Sequence, residues 1–303
     1  MKDRKIIVFI ASGFIIVTLL LALYFFVKKP ARISIPVFDE EKKVIVFKDV
    51  TYSGEKKGII DWEIIAKVAR KYIDKPVIEM DDLEGKYMPK EGVIVSFKGT
   101  KGTMNTEEEK GTIENVDFIY KNIYRLKSRY MNFDFRQGIT YTDAPVDIEG
   151  EKLTLNGVGL TANTEEERVR IEKDVTGYIE TDKGKYRFQS NNFTYNMKDN
   201  AYVLEGKVIM KGQDISMFCD KLYLLSKEND LERIDARGRV QLISGGTVAK
   251  SEKAVYHFKD DKVVLTERPK ILKDNVEMDG ESIVYDLSSG IFFINMPKMR
   301  MEK

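Results

Sequence analysis

The chain has 303 residues, 43% of them apolar and 33% charged, with 50 basic against 49 acidic side chains. That apolar content can build a core for one or two domains, whereas near-balanced, interspersed charge excludes nucleic-acid binding, which asks for a basic stripe. A single cysteine, Cys219, excludes an intramolecular disulfide framework.

A short tail, residues 1–5, precedes an uncharged stretch at 6–27. As a helix rising about 1.5 Å per residue, that stretch reaches roughly 33 Å, enough to cross a bilayer. A cleaved signal peptide is the rival reading. The stretch outruns an ordinary signal h-region, and it ends in Leu23-Tyr24-Phe25-Phe26-Val27 where cleavage needs small residues. An uncleaved transmembrane helix is therefore the expectation. Lys2, Arg4 and Lys5 before it are matched by Lys28, Lys29 and Arg32 after it, so the positive-inside rule does not decide the orientation. A single-pass inner-membrane protein with its bulk on the periplasmic side is the arrangement expected of a strand-forming ectodomain.

Residues 28–43 read as a linker, with Pro30 and Pro36 favouring extended backbone. Strand patterns begin at Val44. The segment Trp62 to Ile73 is ambiguous: Trp62, Ile64, Ala66 and Val68 alternate as in a strand, while Ile64, Ile65, Val68, Ala69 and Tyr72 also fit a helical face. Alternation is plainer at Val93 to Phe97, Ile113 to Tyr120, Tyr130 to Phe135, Ile139 to Tyr141, Val146 to Ile148 and Leu153 to Leu155. The polar turns between them include Asn105-Thr106-Glu107-Glu108-Glu109 and Asn163-Thr164-Glu165-Glu166-Glu167. Adjacent carboxylates at a loop tip splay apart, so these are read as solvated turns rather than metal sites.

The C-terminal half repeats one phrase at steps of 30, 31 and 29 residues: Ser190 with Phe193 and Tyr195, Asp220 with Tyr223 and Leu225, Ser251 with Ala254 and Tyr256, Gly280 with Ile283 and Tyr285. Earlier echoes start at Gly159 and Ser128. Each unit reads as a hairpin added to a growing sheet. Gly206 before Val208, Gly238 before Val240, and Pro145 and Pro269 in the matching slot place a Gly or Pro at one fixed point of a strand, as a repeated bulge or bend requires. Repeated bends curl a sheet over its apolar face. The predicted fold class is therefore mainly β: a transmembrane helix, then tandem jelly rolls at 44–182 and 183–303.

These residues resemble the lipopolysaccharide transport proteins of the Gram-negative envelope. Gly58-Ile59-Ile60-Asp61-Trp62-Glu63-Ile64-Ile65-Ala66, Tyr141-Thr142-Asp143-Ala144-Pro145-Val146 and Gly150 through Ala162 look like an LptC domain. Residues 187–294 look like LptA, in Leu204-Glu205-Gly206-Lys207-Val208, Ala236-Arg237-Gly238-Arg239-Val240 and Gly280-Glu281-Ser282-Ile283-Val284-Tyr285-Asp286. An LptC protein ordinarily ends after one such domain, so the chain reads as a fusion of the two. The resemblance implies an OstA-like jelly roll with an open V-shaped groove. It would accept lipopolysaccharide from an ATP-driven transporter of the LptB/LptF/LptG type and pass it to further LptA-like or LptD-like jelly rolls.

A lipid tail of a dozen methylenes loses roughly 10 kcal/mol of favourable burial in water, at about 0.8 kcal/mol per CH₂, so a carrier needs an apolar track. Alternate strand residues supply one. The candidate lining residues are Trp62, Ile64, Phe118, Tyr120, Phe133 and Phe135 in the first half. In the second half they are Phe193, Tyr195, Leu222, Leu224, Tyr256, Phe258, Ile283 and Tyr285. The competing reading is that these form a filled core of a membrane-tethered scaffold or adhesion module. The final run Ile291-Phe292-Phe293-Ile294 either completes the core or, as favoured here, is an edge awaiting a partner strand.

Catalysis is not expected. One histidine, His257, and one cysteine leave little for nucleophilic or zinc chemistry. The carboxylate pairs Asp81-Asp82 and Asp260-Asp261 do not suit glycoside hydrolysis, because neighbours on a strand face opposite sides and Asp260-Asp261 falls in a predicted hairpin turn. A wall-modifying enzyme is the weakest alternative, and no cofactor or metal is expected.

Overall fold

The computed structural model describes residues 36–301 apart from 42, 57–58, 91–92, 121–122 and 228–229. The expected membrane helix at 6–27 lies outside the described residues, among which no helix is long and apolar enough to cross a membrane. Residues Val37–Lys303 form one compact unit.

Among the described residues that unit is one sheet of 22 strands, antiparallel at every pairing. It begins with β1 (Val37–Asp39), β2 (Val44–Lys56), β3 (Ile59–Tyr72), β4 (Val77–Lys90), β5 (Val93–Asn105), β6 (Lys110–Tyr120) and β7 (Tyr124–Asp134). It continues with β8 (Ile139–Gly150), β9 (Leu153–Asn163), β10 (Arg168–Thr181), β11 (Gly184–Ser190), β12 (Asn192–Asn196), β13 (Ala201–Lys211) and β14 (Ile215–Lys227). It ends with β15 (Asp230–Ser244), β16 (Thr247–His257), β17 (Lys262–Thr266), β18 (Lys270–Lys273), β19 (Val276–Asp279), β20 (Ser282–Asp286), β21 (Ile291–Asn295) and β22 (Lys298–Met301). Each strand up to β10 pairs with the next. Beyond that, short strands lie end to end as two halves of one row: β10 pairs with both β11 and β12, and β16 with both β17 and β18.

The ambiguous segment at Trp62 is thus a strand, β3, hydrogen-bonded to β2 on one side and β4 on the other. Periodicity could not choose, but two neighbouring strands offering ladder partners do. The sheet also runs unbroken through residues 173–185, because β10 bonds backward to β9 over most of its length and forward to β11 and β12.

A seam of bends crosses the sheet at mid-strand. Asp49, Asp82 and Asn115 fall 33 residues apart, each with a positive φ near +50°, and Asp174, Gly206, Gly238 and Glu267 continue the line. The ladder register shifts between Glu205 and Val208, between Arg237 and Val240 and between Thr142 and Pro145, as the Gly and Pro slots predict. Each bend turns one half of a strand over the other, so the sheet folds along the seam into two facing layers. Inward residues change parity across it: Ile64 and Ala66 are followed by Ala69, Ile78 and Met80 by Leu83, Ile113 by Val116, and Cys219 by Leu222 and Leu224. The repeat phrase is corrected accordingly. In β14 it begins at Cys219, and Tyr223 and Leu225 point outward while Leu222 and Leu224 are fully buried.

Away from the seam the strand ends form two lips. The first carries the turns at 73–76, 106–109, 135–138, 164–167, 197–200, 258–261 and 287–290. Its turns are tied in series by backbone hydrogen bonds, among them Thr106 N to Pro76 O, Phe135 N to Glu109 O, Thr164 N to Gly138 O, Met197 N to Glu167 O and Leu287 N to Asp261 O, at 2.8–3.1 Å. The acidic triplets sit in this series. The Asn105 side-chain oxygen accepts from the amides of Glu107 and Glu108, and Asn163 does the same for Glu165 and Glu166. They are capped turns, and no metal-holding cluster occurs among the described residues. The second lip carries the turns at 151–152, 182–183, 212–214, 245–246 and 274–275.

Candidate functional site

The space between the layers is lined by one hydrophobic cluster running from β3 to β20. Of the fourteen residues singled out from the sequence, thirteen belong to this cluster or pack against it. Trp62, Ile64, Phe118, Phe133, Phe193, Leu222, Leu224, Tyr256, Phe258, Ile283 and Tyr285 are buried, and Phe135, Tyr195 and Tyr120 are half-buried. Alternation on each side of the seam places them, since every second side chain shares a face.

Aromatic rings dominate the first half. Tyr52 and Trp62 lie 5.2 Å apart, Trp62 stacks on Phe135 at 5.1 Å, Phe135 on Phe133 at 5.7 Å, and Phe133 reaches Phe118 at 5.7 Å and Phe97 at 6.1 Å. Phe97 and Phe188, both buried, belong to this lining although the sequence placed Phe97 only in an alternating strand and did not name Phe188. Their alternating neighbours, Val95 and Ser190, were the available signal. In the second half Tyr202 stacks on Tyr195 at 4.8 Å and on Phe193 at 6.0 Å, Tyr256 lies against Phe258 at 4.6 Å, and Tyr285 stacks on Phe292 at 4.3 Å.

Side chains fill most of the interior, and they also bridge the lips. Tyr87, from the second lip, meets Phe135 at 6.4 Å and Thr164 Oγ1 at 3.5 Å on the first. The Tyr120 hydroxyl donates to Met197 Sδ at 3.7 Å, and the Tyr124 and Tyr202 hydroxyls hydrogen-bond at 3.0 Å. Each bridge joins a strand to one several places further along, so the lips meet with a stagger.

Space remains at the N-terminal end. A partly open cavity of about 390 Å³ lies between the halves of β2, β3 and β4, lined by Phe47, Val50, Tyr52, Ile64, Ala66, Ala69, Ile78 and Met80. Its polar rim is Lys71, whose ammonium donates to Thr106 Oγ1 at 3.1 Å. The volume is at the lower end of the roughly 300–1,000 Å³ range of small-molecule sites. It suits part of an acyl chain with an anion near the lysine.

Burial sets the proton chemistry. It pushes the Tyr195 hydroxyl up to about 12 and the Cys219 thiol up to about 12. Tyr202 is raised further, by burial and by its hydrogen bond with Tyr124, and Tyr256 by burial and by donating to Asp261 at 2.7 Å. The carboxylate pairs are used structurally: Asp81 pairs with Arg70 at 2.7 Å, Asp82 with Lys67 at 3.0 Å, and Asp261 also accepts from Ser288 at 2.6 Å. His257 is half-buried in β16 between Arg233 and Lys262 on the neighbouring strands.

The expected edge run is β21, which pairs with β20 on one side only among the described residues. Its four residues divide by parity. Phe292 and Ile294 pack against the core, while Ile291 and Phe293 are 52% and 60% exposed on the outer face. At the opposite end β1 pairs, among the described residues, with β2 alone, and Val37 and Phe38 are exposed.

Comparison with known proteins adds two family matches. Residues 14–180 match the lipopolysaccharide-assembly family described as LptC-related, and residues 187–291 match the family of LptA and LptD N-terminal lipopolysaccharide transport proteins. Among solved structures the chain is similar to LptH, the LptA-homologous periplasmic component of the lipopolysaccharide transport device of Pseudomonas aeruginosa, at 18% identity and a TM-score of 0.37 over 39% of this chain and 95% of that one. No curated protein matches it.

Proposed function

Because the chain belongs to the LptC-related family of lipopolysaccharide-assembly proteins and continues into an LptA-like segment, we propose that it is a membrane-anchored carrier joining two links of a lipopolysaccharide bridge in one polypeptide. In this reading residues 6–27 hold it in the inner membrane and the sheet stands in the periplasm as tandem jelly rolls. The N-terminal cavity takes acyl chains from an LptB/LptF/LptG-type transporter, and β21 docks the next LptA-like or LptD-like unit. The chain itself performs no chemistry, so the driving energy comes from the transporter.

One observation carries the proposal: two successive transport-family segments share one unbroken sheet whose apolar face is continuous from β3 to β20. With strands antiparallel and the seam bending each one, every repeat adds another apolar rung to the same interior. A moving tail can exchange one greasy contact for the next, because the roughly 0.8 kcal/mol per CH₂ that would be lost in water is retained at each step.

The test is photo-crosslinking in living cells. Crosslinkers at Phe193, Tyr195 or Tyr256 are expected to capture lipopolysaccharide, and an absence of adducts across the whole inward set removes the carrier reading. The filled interior favours a second reading, a tethered scaffold with a solid β core, which predicts that absence. Membrane anchoring is checked separately: alkaline carbonate should leave the full chain in the membrane pellet and release a chain lacking residues 1–28.

A further inference from the structure

A lipid carried with its tails inside must straddle the slit between the lips. Its sugars and phosphates cannot enter an apolar interior without losing their hydrogen-bond partners, and its tails cannot leave that interior for water. Every contact that joins the lips therefore has to part as such a molecule passes.

A cluster of such contacts stands where the two family segments meet. Tyr124, at the start of β7, and Tyr202, near the start of β13, touch hydroxyl to hydroxyl at 3.0 Å. The Tyr124 ring lies so close over Gly150 that a Cβ there would sit 2.5 Å from it, which fixes the ring's direction. Tyr202 is held from the other side by Tyr195, stacked at 4.8 Å, whose own hydroxyl donates to Asn200 at 3.1 Å. Beside them Tyr120 reaches Met197. Tyr120 and Tyr124 belong to the first matched segment, and Tyr195, Met197 and Tyr202 to the second.

The bond has the properties of something that opens. It joins two hydroxyls with no ion pair behind either, and burial keeps the Tyr195 and Tyr202 hydroxyls protonated well above neutral pH. Neither Tyr124 nor Tyr202 uses its hydroxyl to hold its own strand, whose backbone ladder is complete without it. Resting on the carrier reading above, we infer that Tyr124 and Tyr202 form a clasp that gates the passage of lipid from the interior of the first segment to that of the second, opening by separation of the lips with both strands intact.

The experiment uses the full chain in cells, with a photo-crosslinker at Phe135 to report lipid in the first segment or at Phe292 to report its arrival in the second. In the Tyr124→Phe/Tyr202→Phe chain both rings remain and the hydroxyl bond is lost. Adduct at Phe292 should rise by about two- to ten-fold, the factor corresponding to one neutral hydrogen bond, with adduct at Phe135 unchanged. In a Tyr124→Cys/Tyr202→Cys chain joined by a bifunctional thiol reagent with a reducible linker, adduct at Phe292 should disappear while that at Phe135 persists, and reduction should restore it. Cys219 is buried and does not compete for the reagent. An unchanged ratio of the two adducts in the phenylalanine chain and in the bridged chain overturns the gate while leaving the carrier reading in place. No adduct at either position in the parent chain overturns both.

Discussion

Replacing Gly206 by alanine tests the seam directly. Gly206 has φ of +78°, in the left-handed region that costs an L-residue about 1–2 kcal/mol. A Cβ placed there would lie 2.6 Å from Asn191 Nδ2 and 2.9 Å from Asn191 Cβ. The amide could swing aside, but the Cβ is fixed to a backbone whose N–H already donates to Gly206 O at 2.8 Å and Glu205 O at 3.1 Å. Backbone must therefore shift, and overpacking of this kind costs about 1–3 kcal/mol. The total expected for Gly206→Ala is about 2–5 kcal/mol. Urea denaturation should show it as a lower midpoint at unchanged slope. Repeating the substitution in an Asn191→Gly background removes the steric part, and the loss should fall to about 1–2 kcal/mol. A loss below about 0.5 kcal/mol, or the same loss in both backgrounds, would refute the account of the bend.

Three further outcomes follow from the interior. Leu265→Ala, at a fully buried site opposite Ile283, should cost about 2–5 kcal/mol by calorimetry or denaturant titration. Cys219, with its thiol pushed up to about 12, should resist alkylation in the native chain at pH 8 and react once the chain is unfolded, as read by mass shift. Tyr195 has a folded value of about 12 against an ordinary 10, so the folded state holds the extra proton between them. Its contribution is intact below pH 10 and is lost as pH climbs from 10 to 12, and Tyr195→Phe should flatten alkaline unfolding in that window.

The sequence made the bends visible only where glycine or proline marked them. Gly206, Gly238, Pro145 and Pro269 stood out because few other residues suit a strand that turns. Asp49, Asp82, Asn115 and Asp174 do the same work unnoticed, because Asp and Asn tolerate positive φ yet look like ordinary polar strand residues. The repeat phrase counted from Asp220 reached Tyr223 and Leu225, whereas the candidate lining set named Leu222 and Leu224, and the buried pair is Leu222 and Leu224. The inward set was otherwise readable, since it depends on local alternation. The lip contacts were not: Tyr124 and Tyr202 are 78 residues apart, and their meeting depends on how far the folded sheet is staggered.

That stagger has a consequence for motion. Because each point on one lip faces a strand well ahead on the other, the line between the lips winds around the long axis instead of running parallel to it. In the carrier reading, a lipid held half inside and half outside would not travel straight but would rotate as it advances. On that reading the handover at the far end would occur at an orientation set by the pitch of the protein, and a receiving unit would have to dock at the matching angle.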